Sequence, residues 1–190
     1  MNKVNWGYCK YSWNPMAMRC TRVSEGCEHC WHLTMADRLA KNPKLPLELQ
    51  EAYAGGRPVL RNGLPASISR SVDELSAPLR RKKPAVIAVQ FMGDLFHEDV
   101  PEDAIADIWD VMLTASQHTF LVLTKRPALL LKNLDRCYAD NEPPFSNIYL
   151  GVTVENQQAA DERIPILLQI PAAGHWLSIE PVLSAIELGL

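Results

Sequence analysis

From Pro84 onward the apolar and polar positions switch repeatedly between two periodicities. Ala85 to Met92 (AVIAVQFM) is a short apolar run rich in β-branched residues, which predicts a buried strand. Pro101 then opens a helical pattern. Glu102 and Asp103 suit its first turn, and Ala104, Ile105, Ile108, Trp109, Met112 and Ala115 recur on one face. Thr119 to Thr124 predicts a second strand, and Pro127 starts a helix with Leu130, Leu131, Leu134 and Tyr138 near one side. Asn147 to Val154 predicts a third strand, followed by a polar helix that Pro165 is expected to kink or end. His175 to Ile179 predicts the fourth strand. Strands alternating with helices in this way predict βαβ units and a parallel sheet, open or curled into a barrel.

The first half is less regular. Trp31 to Lys41 predicts a helix bearing Leu33, Met35, Ala36 and Leu39, stopped by Asn42-Pro43. Residues 42–83 carry many Pro and Gly turn signals and read as an irregular insert, with a short strand expected at 66–71 (ASISRS). No internal repeat or low-complexity tract breaks the chain. The expectation is one domain over 1–190: a cysteine loop and first helix (1–41), the insert (42–83) and repeated βα units (84–190).

Composition changes this picture little. A formal charge of −3 over 190 residues gives no general case for nucleic-acid binding, and the basic run Arg80 to Lys83 reads as a solvated segment end. No stretch approaches the ~20 apolar residues of a membrane span, and the N-terminus lacks the apolar core of a signal peptide, so the expected location is cytoplasmic. In a reducing compartment a tight group of cysteines points to metal binding or catalysis rather than to disulfides.

Ligands of parallel α/β sheets and barrels bind beyond the carboxyl ends of the strands. Here each predicted strand runs into polar side chains: Asp94 and His97, then Thr124, Lys125 and Arg126, then Thr153, Glu155 and Asn156, then Ser178 and Glu180. Four such ends in succession predict a shared mouth. His97 alone could be an ordinary loop histidine, while His118 and His175 read as strand-entry residues.

Three of the five cysteines, Cys20, Cys27 and Cys30, fall within the stretch CTRVSEGCEHCWH in a Cys-x6-Cys-x2-Cys pattern. Gly26 allows a sharp turn before the second. Cys137 is expected in the core and Cys9 is ambiguous. Soft thiolates on one short loop suit zinc or an iron–sulfur cluster. A closed zinc site needs a fourth ligand, for which Cys9, His29 and His32 are candidates. Three cysteines without a fourth suggest a 4Fe-4S cube with one iron left open for chemistry.

The blocks SWNPMAMRCTRVSEGCEHCW, FMGDLFHEDVP, FLVLTKRP, NIYLGVTVENQQAADERIPILL and WLSIEPVL together resemble the phage-associated three-Cys-motif family, radical-SAM-like proteins of unassigned substrate. That resemblance implies a partial TIM-type (β/α) barrel, with a 4Fe-4S cluster on Cys20, Cys27 and Cys30 and S-adenosylmethionine at the open iron. His29 stands where related loops often carry an aromatic residue, and Thr124-Lys125 is similar to a strand-end motif of neighbouring groups. Two departures stand out. Trp31-His32 replaces the commoner Tyr-Ala, and family members usually continue beyond the Glu-Pro block, so the expected barrel lacks its last strand.

The function implied is generation of a 5'-deoxyadenosyl radical, with an electron donor, on an unknown substrate; the phage association of the family would suit nucleic-acid or nucleotide modification. Lys125 or Arg126 would pair with the methionyl carboxylate. Asp94, Glu155 or Glu180 would accept from ribose hydroxyls or the ammonium, with Thr124 and Asn156 nearby. The alternatives are a zinc-stabilised binding module and a barrel hydrolase using Asp94, Glu155 and Glu180 as paired carboxylates.

Overall fold

The structure is a computed structural model describing residues 1–62, 74–133 and 146–188. In chain order the first elements are β1 (Asn2–Lys3), β2 (Tyr11–Trp13), β3 (Met16–Ala17), a 3-10 turn at Glu25–Cys27, α1 (Trp31–Ala40), α2 (Leu47–Ala54), β4 (Val59–Leu60) and α3 (Ala77–Arg80). The repeating part follows as β5 (Val86–Val89), α4 (Glu102–Thr114), β6 (Thr119–Thr124), α5 (Pro127–Lys132), β7 (Ile148–Thr153), α6 (Gln157–Leu167) and β8 (Gly174–Ser178). The central sheet has the order β1-β2-β5-β6-β7-β8, antiparallel only at β1-β2, and β3 pairs with β4 separately. Among the described residues β1 and β8 each pair on one side, so the strands form an open mixed α/β sheet and no closed barrel.

All four strands anticipated after Pro84 are present. Strand alternation sets the core: Ile87, Val89, Phe120, Val122, Ile148, Leu150 and Val152 face one way and pack with Ile105, Ile108, Trp109 and Met112 of α4, Leu130 of α5 and Leu167 of α6. The α4 face is the one its spacing predicts. On the opposite face Leu121, Leu123, Tyr149 and Trp176 are half-buried. There Gly151 and Trp176 are register partners, and a Cβ on Gly151 would lie 2.5 Å from Trp176 Cε2. The glycine is the seat of the indole.

Several expectations are corrected. The stretch 42–83 is not irregular throughout: α2 buries Leu49, Ala52 and Tyr53 against Ala17 and Ala36, and Gly55 ends it at φ 111°. A helix of eight residues offers too few turns for its periodicity to stand out from flanking prolines. Pro165 does not end α6, because burial of Arg163 and Leu167 retains the last turn despite one lost backbone bond. The strand at β2, too short for a pattern, extends the parallel set by pairing with β5. The strand expected at 66–71, and Leu134, Cys137 and Tyr138, lie outside the described residues. No helix among the described residues is long and apolar enough to cross a membrane.

Gly151→Val forces a branched side chain into the space of the Trp176 indole. The expected loss is about 1–3 kcal/mol of stability, measured by urea denaturation, with a red-shifted tryptophan emission in the folded variant.

Candidate functional site

The chain leaves β2 through Asn14 and Pro15, and it is tied there to the end of β5. The fully buried Gln90, at φ 52°, accepts the Met16 N–H (3.0 Å) and donates to the Met92 carbonyl (2.8 Å), while Asn14 Oδ1 accepts the Met92 N–H (2.8 Å). Gly93, at φ 124°, passes so close to Met18 that a Cβ would lie 2.6 Å from its sulfur. These contacts carry the following residues, Arg19 to Cys30, across the carboxyl ends of the strands.

Arg126 clasps the start of that loop. Its Nη2 donates to the Thr21 hydroxyl (2.7 Å) and carbonyl (3.3 Å), Nη1 to Asp94 (3.2 Å) and the Cys20 sulfur (3.7 Å), and Nε to Glu98 (2.9 Å). A guanidinium has five N–H donors, and all five are engaged. Asp94 in turn accepts from Phe96 N–H (3.0 Å), the Thr124 hydroxyl (2.8 Å) and Lys125 N–H (3.1 Å). The Thr124 oxygen accepts the Arg126 N–H (2.8 Å), which closes a buried network at the ends of β5 and β6.

His97 belongs to the same clasp and is not a free loop histidine. Its ring is buried, Nδ1 accepts the Asp99 N–H (3.1 Å), and Nε2 lies 2.8 Å from the Thr21 hydroxyl. The Thr21 N–H also points at Nε2 (3.3 Å), and burial, then the Arg126 charge, pushes the ring's pKa down, which favours the neutral form.

The middle of the loop rests on a second ionic group. Glu155, 0% exposed, accepts from Arg163 Nη1 (2.9 Å) and Nη2 (3.5 Å) and from Lys125 Nζ (3.2 Å). Lys125 also donates to the Ser24 hydroxyl (3.2 Å), which lies 3.7 Å from the Cys27 sulfur. Gly26 lies close against this group: a Cβ there would be 3.0 Å from Lys125 Nζ and 3.2 Å from Glu155 Cγ. Burial would raise the Glu155 carboxyl, but hydrogen bonding from Ser24 and the Arg163 and Lys125 charges outweigh it and hold the group below the usual carboxylate range.

The two nearest cysteines diverge. Burial and the Asp94 charge push the Cys20 thiol up to about 11, against the pull of Arg126 and with a further push from Cys27. Burial alone would also raise Cys27, yet backbone hydrogen bonding from Val23, the Ser24 hydroxyl and the Lys125 ammonium hold it below an ordinary thiol. Cys30 stands at the N-cap of α1. All three are free thiols.

The structure thus brings Asp94, Thr124, Lys125, Arg126 and Glu155 together with Cys20 and Cys27. Asn156 caps α6, its side chain accepting the Ala159 N–H (2.9 Å), and Glu180 lies apart at an exposed position beyond β8. Of the fourth-ligand candidates, Cys9 is buried ahead of β2, at the opposite end of that strand from the loop, and His29 is exposed. His32 is buried with Nε2 3.4 Å from the Cys20 N–H and an Nδ1 that has no partner among the described residues. His118 and His175 bond the backbone carbonyls of Pro78 (3.1 Å) and Ile170 (2.8 Å) beside their strands.

Ser24, Thr21, Glu98 and Arg163 escaped the sequence reading. Arg163 did carry a signal: it shares the buried side of α6 with Ala159, Ala160 and Leu167, and an arginine in such a place needs a buried partner.

Among the described residues no group of three His, Cys, Asp or Glu side chains is arranged to hold one metal ion. A cubane cluster asks for a different arrangement, since each thiolate binds its own iron. The donor set fits such a cluster in its chemistry: three free soft thiols on one loop, with cationic Lys125 and Arg126 beside two of them.

A family model of proteins of unknown function, DUF5131, matches residues 2–190. The chain belongs to the DUF5131 family. No curated protein and no solved structure matches it. For this DUF5131 chain the site is therefore defined by its own geometry, a cysteine loop held on the ends of β5, β6 and β7 by two buried ionic networks.

The depressed Glu155 pKa contributes stability above the unfolded carboxyl value of about 4.3 that is lost as pH falls through the folded value. Glu155→Gln leaves Lys125 and Arg163 without their anion. It is expected to lower stability at neutral pH by about 3–5 kcal/mol and to flatten the acid limb of the stability curve, measured by urea denaturation across pH.

Proposed function

We propose that this protein is a cytoplasmic radical enzyme that holds a 4Fe-4S cluster on Cys20, Cys27 and Cys30 and uses it with S-adenosylmethionine. The observation that carries the reading is the docking of a three-thiol loop over the carboxyl ends of successive parallel strands, fixed by Arg126 and by the Lys125–Glu155–Arg163 group. The chemistry such a cluster supplies when bound is one-electron cleavage of the sulfonium carbon–sulfur bond, giving a 5'-deoxyadenosyl radical that takes hydrogen from a substrate.

The sheet order supports a partial-barrel reading. Strands β2, β5, β6, β7 and β8 neighbour one another in chain order, the sequence of a barrel segment rather than of a doubly wound sheet, whose order reverses. Curling is supported by the aromatic rings on the face away from the helices. Phe91, just after β5, and Trp176 of β8 have ring centroids 6.3 Å apart. Three strand spacings would separate those strands by about 14 Å in a flat sheet.

The chain's own residues then divide the work. Arg126, with every donor engaged, orients the loop through Thr21 and Cys20 instead of reaching for the methionyl carboxylate. Lys125 has two of its three donors occupied and a side chain 17% exposed, so it is the cation suited to that carboxylate. Ser24 and Lys125 favour the thiolate of Cys27, the form that ligates iron. Asp94 and Glu155 act as buried anions that hold these cations in place. Their full engagement also weighs against the hydrolase reading, which needs a free carboxylate.

Anaerobic reconstitution with iron and sulfide is expected to give a broad absorbance near ~400 nm from thiolate-ligated iron, lost in Cys27→Ala, and release of 5'-deoxyadenosine from S-adenosylmethionine on reduction. One equivalent of zinc with no acid-labile sulfide, under the same anaerobic handling, would instead establish the zinc-stapled binding module.

A further inference from the structure

The basic run that follows α3 is short in the sequence, but the fold brings more cations to it. Lys10 donates its backbone N–H to the Val86 carbonyl (3.3 Å), Lys3 of β1 is the register partner of Tyr11 in β2, and the Arg81 guanidinium lies 4.2 Å from the centre of the Tyr11 ring. Gln117 holds the Arg81 carbonyl (3.0 Å). Tyr11 is therefore the hub of a patch that draws Lys3, Lys10, Arg81, Lys82 and Lys83 from three stretches of chain. It lies at the amino ends of β2 and β5, whereas the cysteine loop docks at the carboxyl ends.

The charge there is uncompensated. Lys3, Lys10, Lys82 and Lys83 are exposed, and among the described residues none of the five side chains forms an ion pair. Neither residues 1–24 nor residues 75–93, which supply the patch, contain an aspartate or a glutamate. Glu74, next in sequence, is buried and bound to the Met1 ammonium (2.5 Å). The exposed acids Asp99, Glu102 and Asp103 follow β5, at the other end of the strand. The formal charge of −3 thus conceals a separation of charge along the sheet, and a polyanion meets attraction at one end only.

We propose that this patch binds the phosphate backbone of duplex nucleic acid without reading its sequence. Single-strand binders add aromatic faces on which bases stack. Tyr11, the ring at the hub, packs on the core and carries Arg81, so phosphate contacts alone are on offer. A duplex presents such phosphates most densely, about one charge per 1.7 Å of its axis. A protein partner would meet an apolar centre, and a membrane an amphipathic helix. Here the exposed members are lysines, and α3 has four residues. The patch stands independently of the iron–sulfur assignment.

The test is fluorescence anisotropy of a labelled duplex of about 20 base pairs titrated with the full chain between about 50 and 200 mM salt. Saturable binding is expected with a Kd of about 1–100 µM, weakening steeply as salt rises. Lys82→Gln with Lys83→Gln should weaken it about tenfold or more and lower the salt slope by about 2. Lys3→Gln with Lys10→Gln, which removes the cations that only the fold brings to the run, should do the same. Lys41→Gln with Lys44→Gln, two exposed lysines after α1, and Cys27→Ala should leave binding unchanged, with circular dichroism showing each variant folded. No saturation up to about 300 µM protein at the lowest salt overturns the proposal, as does equal binding by the patch variants and the Lys41/Lys44 control. Tighter binding of the single strand, of polyglutamate or of phosphatidylserine–phosphatidylcholine vesicles than of the duplex overturns it as well.

Discussion

A carboxylate with no access to water must be matched by cations, and the Glu155 pairing imposes that constraint on three separate parts of the chain. Arg163 comes from the helix after it, Lys125 from the end of the preceding strand, and Ser24, held by Lys125, from the cysteine loop. Breaking one partnership leaves a buried charge exposed to the low-dielectric interior, so the three segments are coupled more tightly than apolar contacts alone would couple them. Helix α6, strand β6 and the loop therefore share one geometry.

Arg126 plays the matching part at the other end of the loop. Its planar fork reaches Asp94, Glu98 and Thr21 at once, which a lysine's point charge could not do. Thr124 and the backbone N–H of Lys125 complete the Asp94 shell. The consequence is a division between adjacent residues: Arg126 is committed to structure, while Lys125 keeps a donor and some exposure. The same network sets the two thiols apart, since Asp94 and burial disfavour the Cys20 thiolate whereas Ser24 and Lys125 favour that of Cys27.

The two faces of the sheet have different physical demands. Towards the helices, branched and aromatic side chains fill space between closely packed layers. On the other face glycines make room instead: Gly151 takes the Trp176 indole, and a Cβ on Gly174 would lie 2.7 Å from the Tyr149 ring. Large rings laid flat on small residues leave a concavity that bulky side chains of ordinary strand pattern would close.

The repeated βα units, the apolar face of α4 and the position of the thiol loop follow from the sequence by itself, because period, proline placement and cysteine spacing are local properties. So does the polar character of each strand end. What those ends do was decided only by tertiary structure: Asp94, Thr124, Arg126 and Glu155 face one another and the loop, and Asn156 turns back to cap a helix. Sequence distance conceals such pairings; Lys125 and Ser24 are 101 positions apart, and Arg163 meets Glu155 only because α6 folds over the strand end. Short β2 and α2 were hidden for the complementary reason, having too few residues for a period and owing their existence to the neighbours they pair with and pack on.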